Sequence, residues 1–208
     1  MKSERLKIFD DKRNPIGIAS REEVHRLGYW HEVFQCWVIS SVAGANYIYL
    51  QLRSETKKDY PSLFDITAAG HLLANETVRD GVREIKEEIG VSLNFEELIP
   101  LGIFDYCVVR ENFIDKELAN VFLYKTTKNV DDFILQQDEV AGMVKADFKD
   151  FYELWFGQKQ EIKVSGYKLD SQGERMILNE FVGKDRFVPH PLSFYQELTV
   201  KIKEVIGG

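Results

Sequence analysis

Residues 70–91 read Gly-His-Leu-Leu-Ala-Asn-Glu-Thr-Val-Arg-Asp-Gly-Val-Arg-Glu-Ile-Lys-Glu-Glu-Ile-Gly-Val. Within this stretch Glu84, Glu87 and Glu88 are spaced at i, i+3 and i+4, which places three carboxylates on one face of a helix. Like charges at this spacing destabilise an isolated helix by about 0.2 to 0.5 kcal/mol per pair, so a positive partner is expected between them. Hard oxygen ligands suit Mg²⁺ or Mn²⁺, and the three glutamates are therefore predicted metal ligands.

The residues around this helix resemble the Nudix box, the signature of the Nudix hydrolases. The pattern has Gly, five residues, Glu, seven residues, then Arg-Glu-apolar-x-Glu-Glu-x-Gly-apolar, and the matching positions are Gly70, Glu76, Arg83, Glu84, Ile85, Glu87, Glu88, Gly90 and Val91. Six residues rather than seven separate Glu76 from Arg83. A solvated acidic helix face, or an Arg83–Glu87 pair one turn apart, explains the charges if they are taken alone. The flanking glycines and Glu76 favour the box, because a motif needs its context.

The resemblance implies a role for each matching position. Glu84, Glu87 and Glu88 are expected to bind the metal, and Arg83 to orient them through ion pairs. Gly70, Glu76 and Gly90 are expected to shape the turns around the helix. The implied activity is hydrolysis of a diphosphate linkage with Mg²⁺ or Mn²⁺. The general base is expected at Glu87 or Glu88, or at Glu139, where many relatives carry a downstream catalytic glutamate; a loop or helix-end carboxylate explains Glu139 equally well.

The N-terminal half is similar to the branch of this family that includes isopentenyl-diphosphate isomerase. The similarity covers roughly residues 3–155 and includes Gln51-Leu52-Arg53-Ser54, Lys57-Lys58-Asp59-Tyr60-Pro61 and Asp65-Ile66-Thr67-Ala68-Ala69-Gly70-His71. In the isomerases histidines and glutamates hold a divalent metal. The resemblance implies a second metal site formed by His25, His31, His71 and Glu117, with Asp115 as a poorer match.

One position separates the two chemistries. The catalytic cysteine of the isomerases immediately precedes the glycine of the box, and here that position is Ala69. Isomerisation needs a proton donor and an acceptor, and alanine supplies neither, so hydrolysis is the favoured prediction. Two alternatives stay open: an isomerase-like enzyme in which Cys36 replaces the missing cysteine, and a non-catalytic Nudix module that binds a nucleotide.

Substrate-contacting residues are harder to identify from the sequence. Arg53 ends an apolar strand and is a candidate phosphate ligand, with Lys57 and Lys58 nearby. Tyr29, Trp30 and Phe34 are candidates for stacking a base, although aromatic residues beside strands are more often part of the core. A lone histidine, His190, is expected to be structural.

Composition bounds the class of protein. The chain has 208 residues, of which 44% are apolar and 29% charged, as in a soluble domain with one core and a small appendage. No apolar run is long enough to span a bilayer and the charged start is unlike a secretory signal, so a cytoplasmic protein is expected. The net charge of −7 argues against a nucleic-acid partner and favours capture of an anionic small molecule through cations. Cys36 and Cys107 are expected to be buried, reduced thiols.

The order of patterns along the chain predicts a layered α/β protein. Residues 6–10 and 15–18 flank a turn, residues 31–40 and 46–53 are strand-like, and residues 98–110 and 117–126 form another strand pair around a polar connection that includes Asn112. Helical periodicity is predicted for residues 145–155 and 191–206. We predict a Nudix-type α/β/α sandwich with a mixed central sheet and a C-terminal helical extension. Its parts are an N-terminal β-ribbon (residues 1–30), a core (31–157) and an extension packed on that core (158–208), which either covers the sheet or forms a homodimer contact.

Overall fold

A mixed β-sheet with helices on both faces forms the fold, as seen in a computed structural model that describes residues 4–111 and 113–207. Four helices lie in the described chain: α1 Arg21–Leu27, α2 Val82–Ile89, α3 Phe148–Trp155 and α4 Leu192–Gly207. The strands are β1 Arg5–Phe9, β2 Pro15–Ser20, β3 Trp30–Val42, β4 Ala45–Arg53, β5 Phe64–Asp65, β6 Ala68–His71, β7 Ile99–Arg110, β8 Phe113–Lys125, β9 Val140–Asp147, β10 Ile162–Leu169 and β11 Arg175–Val182. The predicted α/β fold with a C-terminal helix is confirmed.

The long strand β3 lies at the centre of the sheet. It pairs in parallel with β8, and antiparallel with β6 near its start and with β4 near its end. Successive side chains of a strand point to opposite faces. Trp37 and Ile39 therefore join the core cluster under α3 and α4, whereas Phe34, Cys36 and Val38 join the cluster under α2. This double-sided burial explains why β3 reads as a nearly continuous apolar run.

Glycines fix both ends of α2. A 3-10 turn, Val78–Gly81, leads directly into the helix, and a Cβ at Gly81 would overlap the buried Phe34 ring. The helix ends at Gly90, which has φ 71° and donates its N–H to the carbonyls of Ile85 and Lys86. Only glycine adopts this left-handed conformation without strain. The 3-10 turn is the local solution to the short spacing between Glu76 and Arg83.

The C-terminal residues do more than form a helix. Strands β10 and β11 extend the main sheet beyond β9, and the sequence analysis did not predict them. Helix α4 covers the sheet, with Phe194, Leu198 and Ile202 in the same core cluster as α3. The boundary at residue 157 stays a prediction, since β9 and β10 share one ladder across it.

Several local predictions can be compared with the structure. The N-terminal hairpin and the strand pairs are confirmed, although Asn112 lies outside the described residues. The prediction that helix begins at residue 145 was wrong, because residues 145–147 complete β9 and the Asp147 side chain caps α3. Burial of Cys36 is confirmed, but that of Cys107 was wrong: Cys107 is exposed on the face of β7 opposite Tyr106. No helix in the described part of the chain is long and apolar enough to cross a membrane.

Candidate functional site

One cavity of about 320 Å³ joins the N-terminal end of β3, the start of α2 and the loops that follow β4 and β11. Among the described residues its walls carry nine acidic side chains and only four from arginine or lysine. The acidic residues are Glu4, Asp59, Asp65, Glu84, Glu87, Glu88, Asp115, Glu117 and Glu139; the cationic ones are Arg21, Arg53, Lys57 and Arg83. Each of the four cations is paired with a carboxylate. The cavity is therefore strongly acidic.

Two glutamates of α2 are buried at this cavity. Glu88 Oε2 accepts a hydrogen bond from the backbone N–H of Ala69 at 3.0 Å and a longer one from Gln51 Nε2 at 3.4 Å. Burial raises the pKa of Glu88 to about 8 and that of Glu84 to about 7. A Cβ at Gly70 would overlap the Glu84 carboxylate, so glycine at this position gives Glu84 its space. Near neutral pH Glu88 is therefore mostly protonated and Glu84 about half protonated, unless a cation compensates their charge.

Arg83 connects the carboxylates of the box. Its Nε donates to Glu76 Oε1 at 2.6 Å, and one terminal nitrogen donates to Glu76 Oε2 and to the carbonyl of His71, both at 3.0 Å. The other terminal nitrogen lies 2.6 Å from Glu84 Oε1 and 3.1 Å from Glu87 Oε2. The shortened spacing thus still brings Glu76 to Arg83.

The three box glutamates do not converge as closely as the helical spacing predicts. Within the described residues, Glu84, Glu87 and Glu88 are not among the groups of three ligand atoms that lie within 4.8 Å of one another. Arg83 draws Glu84 and Glu87 to itself, and the Glu87 side chain is 53% exposed whereas Glu88 is buried. Helical spacing fixes the face of a side chain, but side-chain torsions fix where its oxygens lie.

A second group of ligand atoms is more compact. The ligand atoms of His25, His31 and His71 lie within 4.8 Å of one another, and so do those of His31, Asp115 and Glu117. His25 comes from α1, which begins at a capping box between Ser20 and Glu23. His31 is on β3, His71 ends β6, and the two carboxylates are on β8. The parallel pairing of β3 with β8 sets His31 directly opposite Glu117.

The hydrogen bonds of this group orient its nitrogen atoms. His25 Nδ1 lies 2.8 Å from the Arg21 carbonyl and His31 Nδ1 lies 3.2 Å from the Tyr29 carbonyl, so both Nε2 atoms are directed away from the backbone. They lie 3.4 Å and 3.6 Å from Asp115 Oδ1. His31 Nε2 and Asp115 Oδ1 are fully buried and have no hydrogen-bond partner among the described residues.

Burial determines the protonation of these residues. It lowers the pKa of His31 to about 4 and holds that of His71 well below its ordinary value, so both imidazoles are neutral near pH 7. Burial and the neighbouring Asp115 raise the pKa of Glu117 well above its usual range, and Tyr106 donates a hydrogen bond of 2.6 Å to Glu117 Oε2. Neutral imidazoles beside carboxylates form a donor set that suits a divalent transition metal such as Mn²⁺.

The other predicted site residues lie on the same cavity. Glu139 is in the turn before β9, paired with Lys57. Arg53 donates to Asp65 Oδ2 at 2.7 Å and to the carbonyls of Asp59 and Tyr60, so its visible contacts hold the adjoining loop. Its phosphate role stays a prediction.

Of the aromatic candidates, Phe34 is in the core and Trp30 Nε1 donates to Asp11. Among the described residues that line the cavity, none of the three predicted stacking residues, Tyr29, Trp30 and Phe34, is present. Cys36 also lies outside that wall, in the core under α2.

Sequence reasoning missed several cavity residues. Gln35, Gln51, Tyr106, Asp65 and His190 all line it or contact its carboxylates. The two glutamines had a signal that could have identified them: each is a polar residue within an apolar strand, and a buried amide needs a partner. His190 gave no local signal, because it reaches the cavity from the segment between β11 and α4.

Comparison with known proteins identifies the family. The chain is 35% identical over 201 residues to an uncharacterised Nudix hydrolase of Clostridium acetobutylicum, covering 94% of this chain and 95% of that protein. The chain belongs to the Nudix hydrolase family. No family model matches it. It is also 25% identical over 183 residues to isopentenyl-diphosphate Delta-isomerase 2 of Photorhabdus laumondii, covering 83% of this chain and 98% of that protein.

A solved structure supports the fold. A MutT/nudix family protein of Enterococcus faecalis superposes with a TM-score of 0.54 and 16% identity, over 85% of this chain and 62% of that one. The Nudix fold is therefore present, and with the sequence relationship it makes this protein a hydrolase of the family.

Proposed function

We propose that the protein is a metal-dependent hydrolase that cleaves a diphosphate linkage in a small molecule of the nucleoside-diphosphate type or a related compound. The excess of carboxylates on the cavity wall carries this proposal. A diphosphate group bears several negative charges, and every arginine and lysine on the described wall already has an acidic partner. Cations must therefore accompany the substrate.

The residues fit divalent metals at two places. His31 Nε2 and Asp115 Oδ1 are buried and have no hydrogen-bond partner among the described residues. Both are atoms that can coordinate a metal ion, and coordination would satisfy them. We assign one ion to His25, His31, His71, Asp115 and Glu117, and Mg²⁺ or Mn²⁺ to Glu84, Glu87 and Glu88. Divalent ions held by these residues would supply positive charge to phosphate oxygens and would lower the pKa of a coordinated water.

The side chains around the box have separable tasks. Arg83 holds Glu84 and Glu87 in place, and the Ala69 N–H holds Glu88. A carboxylate must accept the proton of the attacking water, and Glu87, Glu88 and Glu139 are the candidates on the wall. Lys57 pairs with Glu139 on this wall.

Isomerase chemistry is disfavoured by two observations. Ala69 contributes a methyl group and its backbone N–H, which Glu88 already accepts. Cys36 is in the core under α2, and burial raises the pKa of its thiol, so it does not replace the missing cysteine. The Glu117 carboxyl and the Tyr106 phenol could still transfer a proton. Position 69, where the isomerases carry their catalytic cysteine, has no group that can do so.

The test is turnover with Mg²⁺ or Mn²⁺ on a panel of nucleoside di- and triphosphates, nucleotide sugars, dinucleotide polyphosphates, coenzyme A and labelled isopentenyl diphosphate, followed by mass spectrometry. Metal-dependent cleavage at a diphosphate bond is expected, and Glu87→Gln, Glu88→Gln and Glu139→Gln should each reduce it. Glu96→Gln is the control, because Glu96 is exposed and pairs only with Arg79 among described residues. Unchanged turnover in all three cavity variants would remove these carboxylates from the mechanism, and conversion of isopentenyl diphosphate without hydrolysis would favour the isomerase.

A further inference from the structure

The C-terminal segment supplies part of the cavity wall. Between β11 and α4 the chain turns back toward the site, and Val188 and His190 line the cavity. Tyr195, on α4, donates a hydrogen bond of 2.7 Å to the Val188 carbonyl, and the rings of Phe194 and Tyr195 pack around His190. The position of His190 is thus fixed by the helix that follows it.

One ring nitrogen of His190 is held and the other is not. Nε2 lies 3.4 Å from Asp65 Oδ1, and Asp65 is anchored by Arg53 at 2.7 Å and by the Ile66 N–H at 2.8 Å. Although burial opposes it, contacts with His190 and Arg53 lower the pKa of Asp65, so Asp65 is an acceptor and Nε2 the donor. His190 Nδ1 has no hydrogen-bond partner among the described residues. It is also not one of the fully buried side-chain atoms that lack a partner, so it keeps some accessible surface. His190 lines the cavity, and its side chain is 10% exposed.

His190 also lies between the two acidic groups. Its ring centroid is 5.2 Å from that of Tyr106, whose hydroxyl donates to Glu117. On the other side, Asp65 is the direct strand partner of Gln51, which donates to Glu88. His190 is thus linked through Tyr106 to Glu117 and through Asp65 and Gln51 to Glu88, one residue of each group.

We propose that His190 contacts the substrate, with Nδ1 donating a hydrogen bond to a phosphate oxygen while Nε2 donates to Asp65. This rests on the proposed diphosphate substrate. The ring would then lie between two anionic acceptors, the Asp65 carboxylate at Nε2 and the phosphate at Nδ1. Asp65 is a positioning residue that acts through His190. Arginine and lysine on the described wall each have a carboxylate partner. His190 also has one at Nε2, but its Nδ1 has no partner among the described residues and is left for the substrate.

Calorimetric binding of inorganic diphosphate in the presence of Mn²⁺ tests the proposal without requiring turnover. His190→Ala should weaken binding roughly 10- to 100-fold, as expected for loss of a charge-assisted hydrogen bond. His190→Asn should recover part of the affinity, because its amide N–H lies near the position of Nδ1. Asp65→Asn should weaken binding in the wild type but add little in the His190→Ala background. Phe194→Leu is the packing control, since it loosens the ring contact without removing a polar atom.

The outcomes separate this inference from the proposed function. If no compound of the panel is hydrolysed but His190→Ala still loses diphosphate binding, the contact stands and the hydrolase proposal fails. If the folded His190→Ala protein binds diphosphate as tightly as the wild type, the contact is overturned whatever the turnover. Wild-type protein that does not bind diphosphate overturns it as well, and so does a loss in Phe194→Leu equal to that in His190→Ala.

Discussion

Arg83 and Glu76 form a bidentate ion pair. Arg83 Nε lies 2.6 Å from one carboxylate oxygen of Glu76, and a terminal guanidinium nitrogen lies 3.0 Å from the other. The family pattern places one more residue between these positions. Here the 3-10 turn Val78–Gly81 connects the two positions with one residue fewer, and Glu76 still contacts the Arg83 guanidinium. Glu76 also accepts the Leu73 N–H at 2.8 Å, so the pair ties the loop before the turn to α2.

Removing the guanidinium should therefore cost both stability and activity. Arg83→Ala leaves Glu76 and Glu84, each 12% exposed at the side chain, without their partner. We expect the free energy of unfolding to fall by about 1 to 3 kcal/mol, as for loss of a largely buried charged hydrogen bond. Urea denaturation measures this free energy. Turnover should also fall under conditions in which the variant remains folded. Arg79→Ala, which breaks an exposed pair with Glu96, should change stability by less than about 1 kcal/mol; an equal loss there would contradict a special role for Arg83.

Gly70→Ala should displace Glu84. The added methyl group would overlap the Glu84 carboxylate, which is held on its other side by Arg83. We expect a loss of about 1 to 3 kcal/mol in unfolding free energy from overpacking, together with weaker Mn²⁺ binding by calorimetry. Gly207→Ala is the matched control, because nothing lies within 4 Å of a Cβ there. Native metal affinity in Gly70→Ala would show that Glu84 is not a ligand.

Two kinds of site residue can be predicted from the sequence: those spaced along one helix, and those that match the motif of a similar family. The box glutamates follow from the spacing on α2, and the histidine group follows from the isomerase resemblance. Pairing with Arg83 was predicted, but not its reach to Glu76 across the shortened turn. Convergence of the three glutamates on one another was overestimated, because a pattern specifies a helix face and not side-chain torsions.

Long-range contributions could not be read from local patterns. Hairpin β10–β11 lies in a stretch of mixed polarity, and its burial depends on pairing with β9. His190 reaches Asp65 across 125 positions of sequence, a contact that only the assembled fold creates. Cys107 was misassigned because an apolar strand such as β7 was taken as buried on both faces, whereas Ile103 and Val109 are also exposed on it.

Without metal, the protein should become more stable as pH is lowered from 8.5 to 6.5. The pKa of Glu88 is raised to about 8 and that of Glu84 to about 7, whereas an unfolded glutamate titrates near 4.5. In this window the folded state binds protons that the unfolded state does not, so lowering pH favours the folded state. His31 and His71 oppose this gain only toward the lower end of the window. Their lowered pKa values leave them neutral in the folded state, whereas an unfolded imidazole is about half protonated near pH 6.5.

We expect a gain of at least about 2 kcal/mol across those two pH units, measured by urea denaturation in the presence of a chelator. Glu117, whose pKa burial raises well above its usual range, acts in the same direction as Glu84 and Glu88. Glu88→Gln should flatten the dependence and stabilise the protein at pH 8.5, because it removes a buried charge. A pH dependence that is unchanged in Glu88→Gln would show that Glu88 is not the titrating group. Below pH 6.5 protonation of the unfolded histidines opposes the trend, so the gain should level off.

The two cysteines should differ sharply in reactivity. Cys36 is fully buried in the core under α2, and burial raises the pKa of its thiol far above the ordinary value, whereas Cys107 is exposed on β7. A thiol-specific reagent should modify one cysteine rapidly in the native protein and the second only on unfolding, and Cys107→Ser should abolish the rapid phase. Cys36→Ser should retain diphosphate hydrolysis at a modest cost in stability, since the thiol lies outside the cavity wall. Loss of hydrolysis in a Cys36→Ser protein that remains folded would contradict this prediction. An isopentenyl-diphosphate conversion that disappears in Cys36→Ser would favour the isomerase-like mechanism.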